Sequence, residues 1–179
     1  MRPSPPLARS GPDRGYARRV TDEERIAIAK KFNETFSATP FTELRAALLA
    51  SEDIRDLEET LGSDGVVGFV FEYIDPEIRV DVEFPGAGTL TGDPGVEGFF
   101  QFWRDWLEPW ERLEAFASNY TVDGDRVLAD QRLEAEGGLS GAEVELDLCQ
   151  VITIRKGKMV SYAIYPDRAK ALAADYSGA

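Results

Sequence analysis

The stretch DRVLADQRLEAEGGLSGAEVELDLCQVITIRKGKMVSYAIYPDRAKALA, residues 125–173, decides the fold. Asp125–Glu136 alternates apolar and polar residues, and Gly137-Gly138-Leu139-Ser140-Gly141 interrupts it. Glu143–Ile154 alternates again, Arg155-Lys156-Gly157-Lys158 turns the chain, and Met159–Tyr165 returns. Period-two alternation broken by Gly-rich turns predicts an antiparallel meander with one wet face. Asp167 then fits as the cap of a short terminal helix.

Working upstream, Asp123-Gly124 is a hairpin signal, and Glu114–Val122 reads as a strand with Phe116, Ser118, Tyr120 and Val122 on one face. Asp93-Pro94 predicts a helix start, Asp as cap and Pro at the first helical position. That helix is expected to run to about Trp110, with Val96, Phe99, Phe100, Trp103, Leu107 and Trp110 along one side. Trp106 falls off this stripe, which suits a cavity rim or a partner surface. Residues 85–92 predict a turn or short hairpin. Glu77–Phe84 is a strand with Ile78, Val80, Val82 and Phe84 on one face and Arg79, Asp81 and Glu83 on the other.

The amino-terminal half predicts helices. Thr21 and Glu24 fit a capping box ahead of a helix to about Ser37, with Ile28, Phe32 and Phe36 on its apolar face. Further helices are expected over Phe41–Ala50, Ser51–Leu61, which Gly62 stops, and Val66–Tyr73. Residues 1–20 are Pro-rich and carry five Arg against a single Asp. Such a segment buries too little apolar surface to offset its ordering entropy, so it reads as a flexible tail or the product of an early start codon. Residues 21–179 are expected to form a single domain.

Composition narrows the chemistry. Lys and Arg number 20 against 33 Asp and Glu, a formal net charge of −13. That charge repels phosphate backbones, so no nucleic-acid partner is expected. No run is long and apolar enough to span a bilayer, and residues 1–20 lack the apolar centre of a signal peptide; a cytoplasmic location and no membrane partner are the expectation. There is no His and one Cys, Cys149. No intrachain disulfide can form, zinc and copper sites are not expected, and Ser-His or Cys-His nucleophiles are excluded. Acid–base chemistry is left to Asp, Glu, Tyr, Lys or water.

Helices first, then a strand, an aromatic helix and a run of strands give an α+β fold. The expectation is a cone: a curved antiparallel sheet with the N-terminal helices and one long helix packed on its concave face. Its mouth would take a small ligand. Three polar residues stand among apolar ones on strand faces: Gln131 between Ala129 and Leu133, Gln150 between Leu148 and Ile152, and Tyr162 between Val160 and Ile164. A buried amide needs partners. Satisfaction by backbone, water or a nearby Tyr is the plainer account of each glutamine, and a ligand the sharper one. An aromatic stripe is ordinarily core; Trp103, central on its helix, is the candidate for lining the cone.

Several stretches together resemble the polyketide-cyclase-like (SnoaL-like) family of the nuclear transport factor 2-like superfamily. They are Tyr73-Ile74-Asp75-Pro76-Glu77-Ile78, Gly92-Asp93-Pro94-Gly95-Val96, Phe102-Trp103, Asp123-Gly124-Asp125-Arg126-Val127, Ser140-Gly141, Arg155-Lys156-Gly157-Lys158 and residues 165–172. The resemblance spans about residues 21–173 and implies the cone fold and, often, a homodimer through the exposed sheet face. It does not select a reaction, because the superfamily holds cyclases, isomerases, dehydratases, epoxide hydrolases and binding modules. Similarity to ketosteroid isomerases implies a carboxylate base at Asp81, or Glu83 if the register slips by two. The same similarity puts an oxyanion-donor Tyr near Phe32, which has no hydroxyl, and an acid near Gln150, which has become an amide. The alternation, however, turns Asp81 away from the core unless a bulge intervenes. The expected ligand pocket is Trp103, Gln131, Gln150, Tyr162, Phe32 and Tyr120. The expected ligand is small and apolar or polycyclic. No metal and no organic cofactor is expected. Cofactor-free proton transfer (isomerisation, cyclisation or dehydration) and a non-catalytic binding or assembly module are the two functions weighed.

Overall fold

The computed structural model describes residues 20–86 and 88–174; of the tail expected over residues 1–20, all but Val20 lie outside the described residues. Four helices open the chain: α1 (Asp22–Ala38), α2 (Phe41–Ala50), α3 (Ile54–Leu61) and α4 (Gly65–Tyr73). Strands β1 (Ile74–Phe84) and β2 (Gly88–Thr91), helix α5 (Val96–Leu107), strands β3 (Trp110–Asp123), β4 (Arg126–Gly137), β5 (Glu143–Arg155) and β6 (Lys158–Tyr165), and helix α6 (Arg168–Ala173) follow. The six strands form one sheet in the order β2-β1-β6-β5-β4-β3. Every neighbouring pair is antiparallel except β1 and β6, which run parallel. This junction departs from the all-antiparallel expectation. It joins the two strands farthest apart in the chain, with most of the fold as their crossover.

Local chemistry sets the helix ends. Thr21 Oγ1 accepts from the Glu24 amide and Glu24 Oε2 accepts from the Thr21 amide, closing the capping box. Asp53 accepts from the amides of Arg55 and Asp56, so α3 begins at Ile54 rather than Ser51. Helix α5 departs from expectation at both ends. Its start is Val96, because Gly95 takes φ 98° and donates its amide to the Ile78 carbonyl at 2.8 Å, pinning residues 93–95 against β1. Its end is Leu107: Glu108, still helical in its backbone, caps the helix by donating its amide to the Arg104 carbonyl, and Pro109 has no N–H to continue the ladder. Trp110 therefore opens β3 instead of closing the helix stripe.

The faces of β1 and β4 fall as the alternation predicts. Two bulges redraw β3 and β6. Asn119 sits in the left-handed region at φ 51°, and the β3–β4 register shifts between Ser118 and Thr121. Parity flips there: Leu113 and Ala115 join Tyr120 and Val122 against the core, while Phe116 is half exposed. A second shift, beside Thr153 and Ile154, puts Met159 rather than Val160 with Tyr162 and Ile164 on the core face. The concave face packs against α1, α2, α4 and α5 in one continuous core. Full burial of a side chain such as Phe99 in that core is worth about 2–3 kcal/mol. On the convex face α6 covers Leu128, Cys149, Val151 and Ala163 through Ala171, so the centre of β5 is buried on both sides. No helix of the described residues is long and apolar enough to cross a membrane.

Candidate functional site

Between α1, α2, the middle of α5 and the concave face of β3, β4 and β6 lies a cavity of ≈ 400 Å³. Its walls are mainly apolar: Phe32 and Phe36 from α1, Phe41, Leu44 and Leu48 from α2, Trp103 and Leu107 from α5, Leu113 and Ala115 from β3. Phe32 packs at 5.3 Å and Trp103 at 5.5 Å, centroid to centroid, from the ring of Tyr162. Aromatic edges and faces at these spacings are attractive and stiff.

The polar points of the inner wall form one network. Asn33 and Gln150 exchange amide hydrogen bonds, Asn33 Nδ2 to Gln150 Oε1 at 2.9 Å and Gln150 Nε2 to Asn33 Oδ1 at 3.0 Å. Asn33 Nδ2 also lies 3.1 Å from the Ala29 carbonyl and 3.0 Å from the Tyr120 hydroxyl. Gln150 Nε2 donates on to the Tyr162 hydroxyl at 3.4 Å. Tyr162 is 2 % exposed. Burial pushes its phenol up to about 12, while hydrogen bonds from Gln150 and Gln131 pull the other way. The phenol is therefore neutral across the physiological range. With Gln150 Nε2 donating to its oxygen, its own hydrogen remains to serve an acceptor. Burial likewise raises the Tyr120 phenol, against the hydrogen bond from Asn33.

Phe32, Trp103, Gln131 and Tyr162 line the cavity. Gln150, 1 % exposed, stands behind Tyr162 and orients it. Tyr120 touches the network only through Asn33. Asp81 and Glu83, the carboxylates that the isomerase comparison selects, are not brought to this cavity. Asp81 Oδ1 accepts from Thr91 Oγ1 at 2.8 Å across the β1–β2 hairpin, and Glu83 pairs with Lys170 of α6. No bulge lies between Arg79 and Val82 to turn Asp81 inward. Among the lining residues the one carboxylate is Glu114, which is exposed, with Arg112 Nη1 at 3.4 Å.

Sequence reasoning missed Asn33, the hub of the network. The available signal was its position beside Phe32, at the border of the apolar stripe of α1, four residues after the small Ala29. The contribution of α2 was missed also, because nothing local says which core a short apolar helix joins. Among the described residues no group of three or more His, Cys, Asp or Glu is placed to hold a metal ion.

The sequence signature of the SnoaL-like domain matches residues 46–162, which runs from α2 to Tyr162 itself. The chain belongs to the SnoaL-like family. No curated protein matches it. Among solved structures, this SnoaL-like chain is similar to a protein assigned as a SnoaL-like polyketide cyclase from a Jannaschia species. They share 19 % identity over 94 % of this chain and 100 % of that one, with a TM-score of 0.56. A nuclear transport factor 2-like protein of unknown function from Burkholderia pseudomallei gives 15 % identity, 84 % and 95 % coverage and a TM-score of 0.56. TerC, co-crystallised with polyporic acid, gives 15 % identity, 84 % and 96 % coverage and a TM-score of 0.51. At these identities the likeness concerns the fold: a cone, shared with proteins of differing roles.

Proposed function

We propose that this SnoaL-like protein binds a small, apolar, polycyclic carbonyl compound in the cavity, with Tyr162 donating its phenolic hydrogen to the carbonyl oxygen. One observation carries the reading: a neutral phenol, its oxygen held by the Gln150 amide and flanked by Gln131, borders an apolar cavity of ≈ 400 Å³. A donor fixed in a low-dielectric wall discriminates an oxygen-bearing ligand from its hydrocarbon analogue, since leaving the donor unpaired costs its desolvation. Asn33, Gln150 and Gln131 act by holding that donor in place. TerC, which shares the fold, was co-crystallised with a small organic molecule, polyporic acid.

The test compares α-tetralone with tetralin, which has the same skeleton without the carbonyl. Tetralone is expected to bind about tenfold tighter, and Tyr162→Phe to erase most of that difference. Equal affinity of the two compounds for the unaltered protein would overturn the reading.

A second reading is cofactor-free proton transfer, with Glu114, the carboxylate among the lining residues, as base from the exposed mouth beside Arg112 and Tyr162 holding the enolate oxygen. Tetralone incubated with the protein in heavy water decides it. Deuterium entering beside the carbonyl, and lost in Glu114→Gln, makes the protein an isomerase, cyclase or dehydratase by type. Binding without exchange makes it a binding module.

A further inference from the structure

All three tryptophans of the chain lie along one line through the cone, and the second half of that line is unused by the reading above. Trp103 borders the cavity. Behind it lies a void of ≈ 50 Å³, which shares Trp103, Gln131 and Tyr162 with the cavity and Phe84, Phe102 and Trp106 with a groove on the far side. The groove measures ≈ 550 Å³ and opens between β2, the end of β1 and α5. Trp106 and Trp110 line it, with Leu90 exposed at its edge and Asp93, Gln101 and Asp105 on its polar rim.

Two features of this line point to an occupant. The indole N–H groups of Trp103 and Trp110 are both buried without a hydrogen-bond partner. A buried indole N–H ordinarily finds an acceptor, and here one orphan lies on each side of Trp106. The partition between the spaces is thin: Trp106 stands edge-on to Trp103 at 5.5 Å and lies parallel to Phe84 at 6.0 Å, the centroid spacing of a loose, offset stack. Trp110 follows at 6.4 Å.

We propose that the cavity and the groove are two arms of one ligand site, closed between them by Trp106. Its ligand is an elongated aromatic carbonyl compound. The carbonyl end meets Tyr162 and Trp103. With Trp106 displaced, the aryl end passes beside Phe84 into the groove, where an oxygen substituent accepts from the Trp110 indole N–H that the closed arrangement covers. The proposal rests on the cavity reading for its first arm and on the groove residues alone for its second.

Two probes separate the arms: chromone, which fills one, and flavone bearing a para-hydroxyl on its phenyl ring, which needs both. Binding is followed by titration calorimetry and by the tryptophan fluorescence. The hydroxyflavone is expected to bind at one site per chain, about tenfold tighter than chromone. Trp110→Phe is expected to bring it down to the chromone affinity while leaving chromone itself within about twofold. Trp106→Ala, or Trp106→Leu if the first variant unfolds, is expected to tighten hydroxyflavone binding, because no ring has to be displaced. The two-arm site is overturned if hydroxyflavone gains nothing over chromone in either the unaltered protein or the Trp106 variants. It is overturned also if Trp110→Phe leaves hydroxyflavone binding unchanged, or if chromone binds at two sites, which would make the groove an independent site. Chromone binding that is weakened by Tyr162→Phe, with no gain from the longer probe, sinks the second arm and spares the first. Chromone binding that ignores Tyr162→Phe sinks the cavity reading instead.

Discussion

The two faces of the sheet solve the problem of polar side chains in opposite ways. On the concave face the polar groups are neutral: Gln131, Gln150 and Tyr162 from the strands and Asn33 from α1, with Asn33, Gln150 and Tyr162 bonded in a chain. On the convex face, apart from the buried Thr153–Ser161 hydroxyl pair, they are charged and wet. Glu83 meets Lys170, Arg132 meets Glu134 at 3.0 Å, and Arg168 Nη2 meets Asp130 at 2.8 Å. Asp130 is held below the usual carboxylate range by Asn119 first and then by Arg168. The cause is dielectric. An ion loses several kcal/mol of hydration in a dry interior, whereas an amide or phenol loses only what a partner can return. The site is consequently built from dipoles, not ions, and recognition there should follow hydrogen-bond geometry and shape.

The strongest way to break this contrast is to place a charge on the concave face. Gln150→Glu should lower stability at neutral pH by about 3–5 kcal/mol in urea unfolding, with part recovered in acid as the carboxyl protonates. A loss below about 1 kcal/mol would mean that the wall is wetter than its burial suggests. Removing the hub comes next. Asn33→Leu orphans Gln150 Oε1, leaves Nε2 with the Tyr162 hydroxyl alone, and should cost about 2–3 kcal/mol.

Alkaline pH tests the same wall without a core deletion. The Tyr162 phenol is raised from 10.0 to about 12 on folding. A raised value favours the protonated native state, so the contribution is complete below pH 10 and is lost as pH climbs towards 12. The loss should total about 2–3 kcal/mol in unfolding free energy and be absent from Tyr162→Phe. The smallest effects belong to the convex face. Asp81→Asn and Glu83→Gln should each change stability by less than about 1 kcal/mol and tetralone affinity by less than about twofold. A tenfold loss of affinity in Asp81→Asn would return that carboxylate to the site.

The sorting of the faces was largely legible in the sequence. Strict alternation in Ile78–Phe84 already turned Asp81 and Glu83 away from the core, against the pull of the isomerase comparison. Isolated polar residues among apolar ones marked Gln131, Gln150 and Tyr162. What misled the reading was local irregularity. The bulge at Asn119 reversed the parity of β3, and nothing in Ala117-Ser118-Asn119-Tyr120 distinguishes that reversal from continued alternation. Asp93-Pro94 looked like a helix start, but Gly95, bonded to the Ile78 carbonyl, moved the start to Val96.

By itself the sequence determined what short-range chemistry controls: the capping box at Thr21, the cap at Asp167, the turns at Gly124 and Gly157, and the side of each regular strand that is dry. These depend on neighbours a few residues away, and propensity and periodicity report them. The tertiary structure decided the rest. Asn33 and Gln150 lie 117 residues apart and become one network only when α1 crosses the concave face. β1 and β6 become neighbours only when the intervening chain has closed the cone. The three tryptophans, on two different elements, fall into line only because Pro109 ends α5 and sends Trp110 into the sheet. Such contacts are chosen by the packing of whole elements, a quantity that no window of the sequence contains.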